Sequence, residues 1–252
     1  MSTESVTTPL ITPADTHPAL RNWLLDALTV SSGAVDAISF IALGKVFTAF
    51  MTGNIAFLGM ALAGSPIAPR FTWVLASMAG FACGVYFGTT IVRLSTKASA
   101  TGGQSKPGPV WPKGATRALC VALLFHLCFV VFWFSAGGHP TPSIIPVLLT
   151  VWAVAMGMQS AAVRQLNIGG VFTTAATATF IFVFGDYANH RPLTSDEHRR
   201  LRGVLISLFI GATAGGFLLI HAPILAPVLP LVITVAVVVT AAKAFGDPSA
   251  ES

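Results

Sequence analysis

The stretch GKVFTAFMTGN, Gly44 to Asn54, places a lysine, two threonines, a glycine and an asparagine inside an otherwise apolar region. A worn copy, GGVFTTAATAT, runs from Gly169 to Thr179. Both stretches are too polar for plain helices facing hydrocarbon and too short to be domains of their own. How they are read decides how often the chain crosses a membrane.

That it crosses one follows from composition. The 252 residues are 54% hydrophobic and only 9% charged, against roughly 25% charged in a soluble domain. A soluble fold this poor in charge could not cover its surface. Apolar runs near the length of a bilayer span fall at 23–43, 46–64, 71–93, 117–136, 144–163, 168–185, 203–221 and 224–242. The net charge of +5 does not point to nucleic acid. The cations gather in short loops, as Lys97, Lys106, Lys113 and Arg117 and as Arg191, Arg199, Arg200 and Arg202, which is the pattern of cytoplasmic loops. A nucleic-acid binder would carry an exposed basic stripe on a soluble face.

Loops 94–116 and 186–202 hold these clusters, so both belong on the cytoplasmic side. Loop 137–143 has no lysine or arginine and belongs outside. Residues 144–186 must then cross an odd number of times, and two full helices there break the rule. The repair is that 168–185, and likewise 46–64, is broken or re-entrant. The expected fold is an all-α integral membrane protein with about six transmembrane helices and two irregular elements. Eight plain helices with a weak charge bias are the alternative.

The two irregular elements are the two quoted stretches. Val46-Phe47-Thr48 falls on Val171-Phe172-Thr173, and Thr52 on Thr177. With a one-residue gap Gly33 falls on Gly157 and Asp36 on Ser160, while Gly80-x-x-x-Gly84 is set against Gly211-x-x-x-Gly215. Two halves, 23–136 and 137–243, are expected between tails 1–22 and 244–252. Three crossings per half is odd, so the second half enters the membrane inverted, a common plan of secondary transporters. The N-terminal tail lacks the n-region, apolar core and cleavage site of a signal peptide. Both tails are expected in the cytoplasm, with the chain in the cell's inner (plasma) membrane.

Non-helical backbone at membrane depth survives only in protein or beside a wet cavity. A break near Lys45 or at Thr52-Gly53-Asn54 would free N–H groups, and Gly53 removes bulk. The paired motif reads as a solute site. For Thr48 and Thr173 taken singly, packing between helices suffices. Asp36 is the acidic residue deep in an apolar run, about 20 Å along a helix from Trp23. A carboxyl there is costly unless paired or hydrated, and it marks either a proton-carrying path or a cap for the break. Ser160, Arg164 and Asn167 form a polar stripe flanked by Gln159 and Gln165. Arg164 would balance Asp36 or hold an anion, or snorkel to the interface. Lys45 invites the same two readings.

Other features read as structure. His126 lies alone in LLFHLCF, without the companions a metal site needs. Cys83, Cys120 and Cys128 lie in apolar runs and are expected to be buried, inert thiols. The glycine stripes read as close helix packing, within or between chains, so a homo-oligomer stays open. There is no phosphate-binding loop and no nucleophile elbow, and no clustered acid, base or metal group for an enzyme. No metal, cofactor or catalytic residue is expected.

The run GAVDAISFIALGKVFTAFMTGNIAFLG resembles the YoaK-like family of multi-pass membrane proteins (domain of unknown function 1275). There a Gly-x-x-Asp segment leads into Phe-x-x-x-x-Thr-Gly-Asn, here Gly33, Asp36, Phe47, Thr52, Gly53 and Asn54. The second half matches through GMQSAAVRQLNIGGVFTTAATAT, with Thr177-Ala178 where that pattern has Thr-Gly. The resemblance covers roughly 24–240 and implies a membrane protein often described as a transporter, with no substrate named. The expectation is a small secondary transporter in the lipid bilayer, moving a small polar or anionic solute with protons. Asp36, Lys45, Thr48, Thr52, Gly53, Asn54, Gln159, Arg164, Thr173 and Thr177 are the candidate solute and ion residues. A channel and a non-transporting scaffold are the rival readings.

Overall fold

In a computed structural model the chain is described at residues 18–100, 111–166, 181, 184–185 and 195–246. Seven α-helices account for most of these residues: α1 Pro18–Ala42, α2 Met51–Leu62, α3 Phe71–Ala100, α4 Lys113–Ser135, α5 Ile145–Arg164, α6 Ser195–His221 and α7 Val228–Phe245. A short 3₁₀ turn, Pro223–Leu225, leads into α7. Six of the helices are long and apolar enough to cross a membrane. The exception is α2, whose 12 residues span about 18 Å at 1.5 Å per residue, against a hydrocarbon core of about 30 Å. The first irregular element is therefore a loop, 43–50, running into a short helix. The second, 168–185, lies outside the described residues save for 181 and 184–185.

Two apolar clusters mark the two ends of the bundle. One joins Leu24 and Leu28 of α1, Val92 of α3, Ala118 of α4, Ala162 of α5, Val204 of α6 and Val238 of α7. The other joins Ile38, Val74, Trp133, Leu148, Leu219 and Ala226. The first end thus holds the start of α1, α4 and α6 and the finish of α3, α5 and α7. Every described lysine and arginine except Lys45 and Arg70 lies at that end, as the loop charges led one to expect. Helix α5 finishes where α6 starts and α1 finishes where α3 starts, so no net crossing separates either pair. Large apolar side chains such as Phe87, Leu124, Phe209 and Phe217 are exposed, which suits a flank in contact with lipid acyl chains.

The long helices meet through glycines. Helix α1 packs along α6, and α5 packs along α3. A β-carbon at Gly33 would strike the Leu208 carbonyl and the Ala212 nitrogen, and one at Gly157 would strike the Phe81 carbonyl and the Val85 nitrogen. In return Gly211 and Gly215 abut Val30 and Ala34, while Gly84 and Gly88 abut Val154 and Met158. The contacts of α1 with α6 and of α5 with α3 are alike, as expected of two halves that exchange partners. They correct one expectation: Gly211 and Gly215 correspond to Gly84 and Gly88, not to Gly80 and Gly84. The reason is geometric. A stripe with glycine every four residues looks the same after a shift of one turn, and only the partner helix fixes the register. These glycine faces are used within one chain.

Candidate functional site

Helix α1 ends in two left-handed residues, Gly44 at φ 80° and Lys45 at φ 63°. The Lys45 amide returns to the Phe40 carbonyl at 3.0 Å, the long-range bond of a Schellman-type C-cap. Glycine takes this conformation freely, and its hydrogen lies against the Trp73 ring, where a β-carbon would collide. A lysine there costs on the order of 1–2 kcal/mol. The chain then runs without helix to Phe50, and α2 begins.

Asp36 closes this break. Its Oδ1 accepts the amides of Thr48 at 2.9 Å and Ala49 at 2.8 Å. The charge sits where the N–H groups ahead of α2 converge, the place where a helix start favours an anion. Asn54, one turn into α2, clamps the same loop. Its Oδ1 accepts the Phe47 amide at 3.0 Å and its Nδ2 donates to the Phe47 carbonyl at 2.7 Å. Ser77 of α3 donates to that carbonyl at 2.6 Å. Phe47 stacks on Phe40 and Phe57, with ring centroids 4.9 and 5.8 Å away. Gly53 passes beneath the Phe50 and Phe47 rings, since a β-carbon there would come within 2.7 Å of the first and 3.0 Å of the second.

The structure thus brings Asp36, Thr48 and Asn54 together with Phe47 and Ser77. It leaves other expected members elsewhere. Thr52 and Lys45 are exposed. Arg164 is exposed in the last turn of α5, at the opposite end from Asp36, whose neighbours Val35 and Ile38 belong to the other cluster. No ion pair joins the two among the described residues, so the charge balance expected between them is not made. Thr173, Thr177 and Asn167 lie outside the described residues. Gln159 spans from α5 to α1, donating from Nε2 to the Leu28 carbonyl at 3.1 Å. Four buried polar atoms on α1, α5 and the break have no partner: Ser32 Oγ, Gln159 Oε1, Ser160 Oγ and Thr48 Oγ1. Buried polar groups are rarely left so, and such a set can hydrogen-bond a small polar guest. His126 is a core residue that accepts the Trp152 indole N–H at 3.0 Å through Nδ1.

The clamp on Phe47 by Asn54 and Ser77 was not legible in advance. Ser77 falls inside an apolar run with nothing to single it out, and its partner is a backbone carbonyl. Among the described residues no group of three His, Cys, Asp or Glu side chains could hold a metal.

The family model for "Protein of unknown function (DUF1275)" matches residues 24–241. The chain is similar to the UPF0700 transmembrane protein YoaK of Bacillus subtilis (strain 168), at 34% identity over 191 residues, which is 76% of this chain and 78% of that protein. No solved structure matches the chain.

Proposed function

The chain belongs to the DUF1275 family of transmembrane proteins, and from that membership we propose that it is a small secondary transporter built from two inverted halves, 23–136 and 137–243. The observation that carries the reading is the exchanged packing, α1 on α6 and α5 on α3, around a seam with unpartnered polar atoms. Halves related in this way can rock against each other while a site at their interface stays fixed. The solute is small and polar or anionic, because the groups offered are hydroxyls, one amide carbonyl and the amides before α2. The clustered arginines support a reading with both termini in the cytoplasm and the protein in the cell's inner membrane. The reading assigns the chain no catalysis.

Asp36 supplies the coupling. As a carboxylate it occupies the Thr48 and Ala49 amides. Hydrogen bonds to a charged acceptor contribute about 1.5–3 kcal/mol each. A proton on Asp36 removes the charge and weakens both bonds. The amides then become free for the oxyanion or carbonyl of a solute, which takes the carboxylate's place. Solute and proton thereby share one set of donors.

The test is uptake by proteoliposomes of a panel of small organic acids and neutral amides, with a pH-sensitive dye inside. Wild type should acidify or alkalinise the lumen with at least one solute, saturably. Asp36→Asn should insert normally, yet move no protons with that solute. Full pH-coupled uptake by Asp36→Asn sinks the proton role. Flux that rises linearly with concentration and ignores the pH gradient favours a channel.

A further inference from the structure

Hydroxyls on several of these helices donate to the carbonyl one turn back. Thr29 donates to Leu25 at 2.8 Å, Ser95 to Ile91 at 2.9 Å and Thr234 to Pro230 at 2.8 Å. Ser32 does not. The carbonyl one turn before it is that of Leu28, which already accepts the Ser32 amide as a helix carbonyl does. Its second lone pair takes Gln159 Nε2, which arrives from α5 at 3.1 Å. Ser32 Oγ is thus displaced from its usual acceptor and has no partner, although the residue is only 1% exposed. Gln159 is fully buried, and its Oε1 has no partner either. Turning the amide round is no remedy, because Oε1 would then face the Leu28 carbonyl, acceptor against acceptor. Around one backbone carbonyl there is therefore a spare hydroxyl from α1 and a spare acceptor from α5. A single hydroxyl on a guest satisfies both, accepting from Ser32 and donating to Gln159.

One turn further along α1 stands Asp36. Residues four apart share a helix face, with about 5–6 Å between their β-carbons. At Asp36 the amides of Thr48 and Ala49 converge on the carboxylate. Thr48 Oγ1 is itself buried without a partner. Donors for an oxyanion at the break and a place for a hydroxyl at Gln159 are thus separated by about one helical turn.

We infer that the solute is a short hydroxy acid with its hydroxyl remote from its carboxylate. The inference rests on the role given above to Asp36 and the amides it holds, and adds a second contact to it. Once Asp36 is protonated, the solute carboxylate accepts from the Thr48 and Ala49 amides and from the Thr48 hydroxyl. Its hydroxyl donates to Gln159 Oε1 and accepts from Ser32 Oγ. A spacing of about one turn fits 4-hydroxybutyrate and is too long for lactate, whose hydroxyl adjoins its carboxylate.

The experiment is thermal unfolding of the full chain in a non-ionic detergent at mildly acidic pH, which favours a protonated Asp36. The titrants are butyrate, 4-hydroxybutyrate, 4-aminobutyrate and lactate, since a ligand of the native state raises Tm by mass action. 4-Hydroxybutyrate should half-saturate at a concentration roughly tenfold below butyrate, because it gains two buried hydrogen bonds. Gln159→Leu should bring these two acids to the same half-saturation. Equal half-saturation in wild type, or a preference that Gln159→Leu leaves intact, overturns the hydroxyl place while the carboxylate place stands. No shift with any of the acids overturns both. Tighter binding of 4-aminobutyrate than of 4-hydroxybutyrate overturns the hydroxyl in favour of an ammonium group, and tighter binding of lactate overturns the spacing. If Gln159→Leu does not fold, Ser32→Ala decides, and an undiminished preference for 4-hydroxybutyrate counts against the proposal.

Discussion

Asn54 holds Phe47 by both groups of one residue, N–H and C=O, much as a neighbouring strand would. Helix α2 is short and its first backbone bond, Asn54 to Phe50, is long at 3.4 Å. The clamp therefore carries much of the order of the break. Asn54→Ala removes two hydrogen bonds and leaves the amide of half-buried Phe47 without its acceptor, which costs about 1–3 kcal/mol. Asn54→Asp keeps an acceptor for the amide but turns a carboxylate toward the Phe47 carbonyl, now 2.7 Å from a donor. It should be the more damaging change. Thermal unfolding in detergent should rank wild type above Asn54→Ala and Asn54→Ala above Asn54→Asp. An aspartate variant as stable as wild type would show that the clamp is not made. The Thr-Gly-Asn run could be seen in the sequence to be special, but not what each member does. The threonine is exposed, the glycine gives way to aromatic rings, and the asparagine binds backbone. The partners of Asp36 and Asn54 are peptide groups, and peptide groups leave no mark in the residue letters.

At the scale of elements, the apolar runs marked eight segments, and six of them are the long helices, with ends within four residues except that α1 starts five residues earlier, α3 runs seven further and α6 starts eight earlier. The loop charges, through the odd number of crossings they require, told 46–64 apart from a full crossing. The glycine register was lost because four-residue spacing repeats itself. The corrected register makes a sharp prediction about helix contacts. Gly84 faces the Val154 carbonyl as Gly211 faces the Val30 carbonyl, so Gly84→Val and Gly211→Val should be about equally harmful. Overpacking costs typically 1–3 kcal/mol, and here the obstacle is backbone, which yields least. Gly216 lies on the same helix as Gly211, but its nearest neighbour is the tip of Ile41, 3.8 Å from a built β-carbon. Gly216→Ala should be neutral, or stabilising by about 0.5–1 kcal/mol, as alanine is the better helix former. The yield of monodisperse protein and its Tm separate the three variants. Harm at Gly84 with none at Gly211 would break the correspondence between the halves.

For the whole molecule, the charge pattern and the packing make one statement from independent sources. Loop cations argued for both basic segments on one side, and the two apolar clusters place the described flanks of those segments at one end of the bundle. Sequence alone could not decide this, because an apolar run says that a segment suits a membrane and not that it traverses one. Chemical labelling can check the plan in intact cells, on a version with Cys83, Cys120 and Cys128 replaced by alanine. Single cysteines go at Pro66 and His139, which are exposed at one end, and at Thr96 and Ala244, exposed at the other. A membrane-impermeant maleimide should reach positions 66 and 139 from outside, and 96 and 244 only after permeabilisation. Labelling of 96 and 244 alone in intact cells would turn the protein over. The six crossings would survive, but the cytoplasmic placing of the termini would not. Labelling of 66 and 139 from opposite sides would be more serious. An even number of crossings, α3 and α4, separates those two loops. Opposite sides would mean that one of these helices does not traverse, that the two halves are not equivalent, and that the seam between α1 and α5 has no reason to lie at mid-membrane.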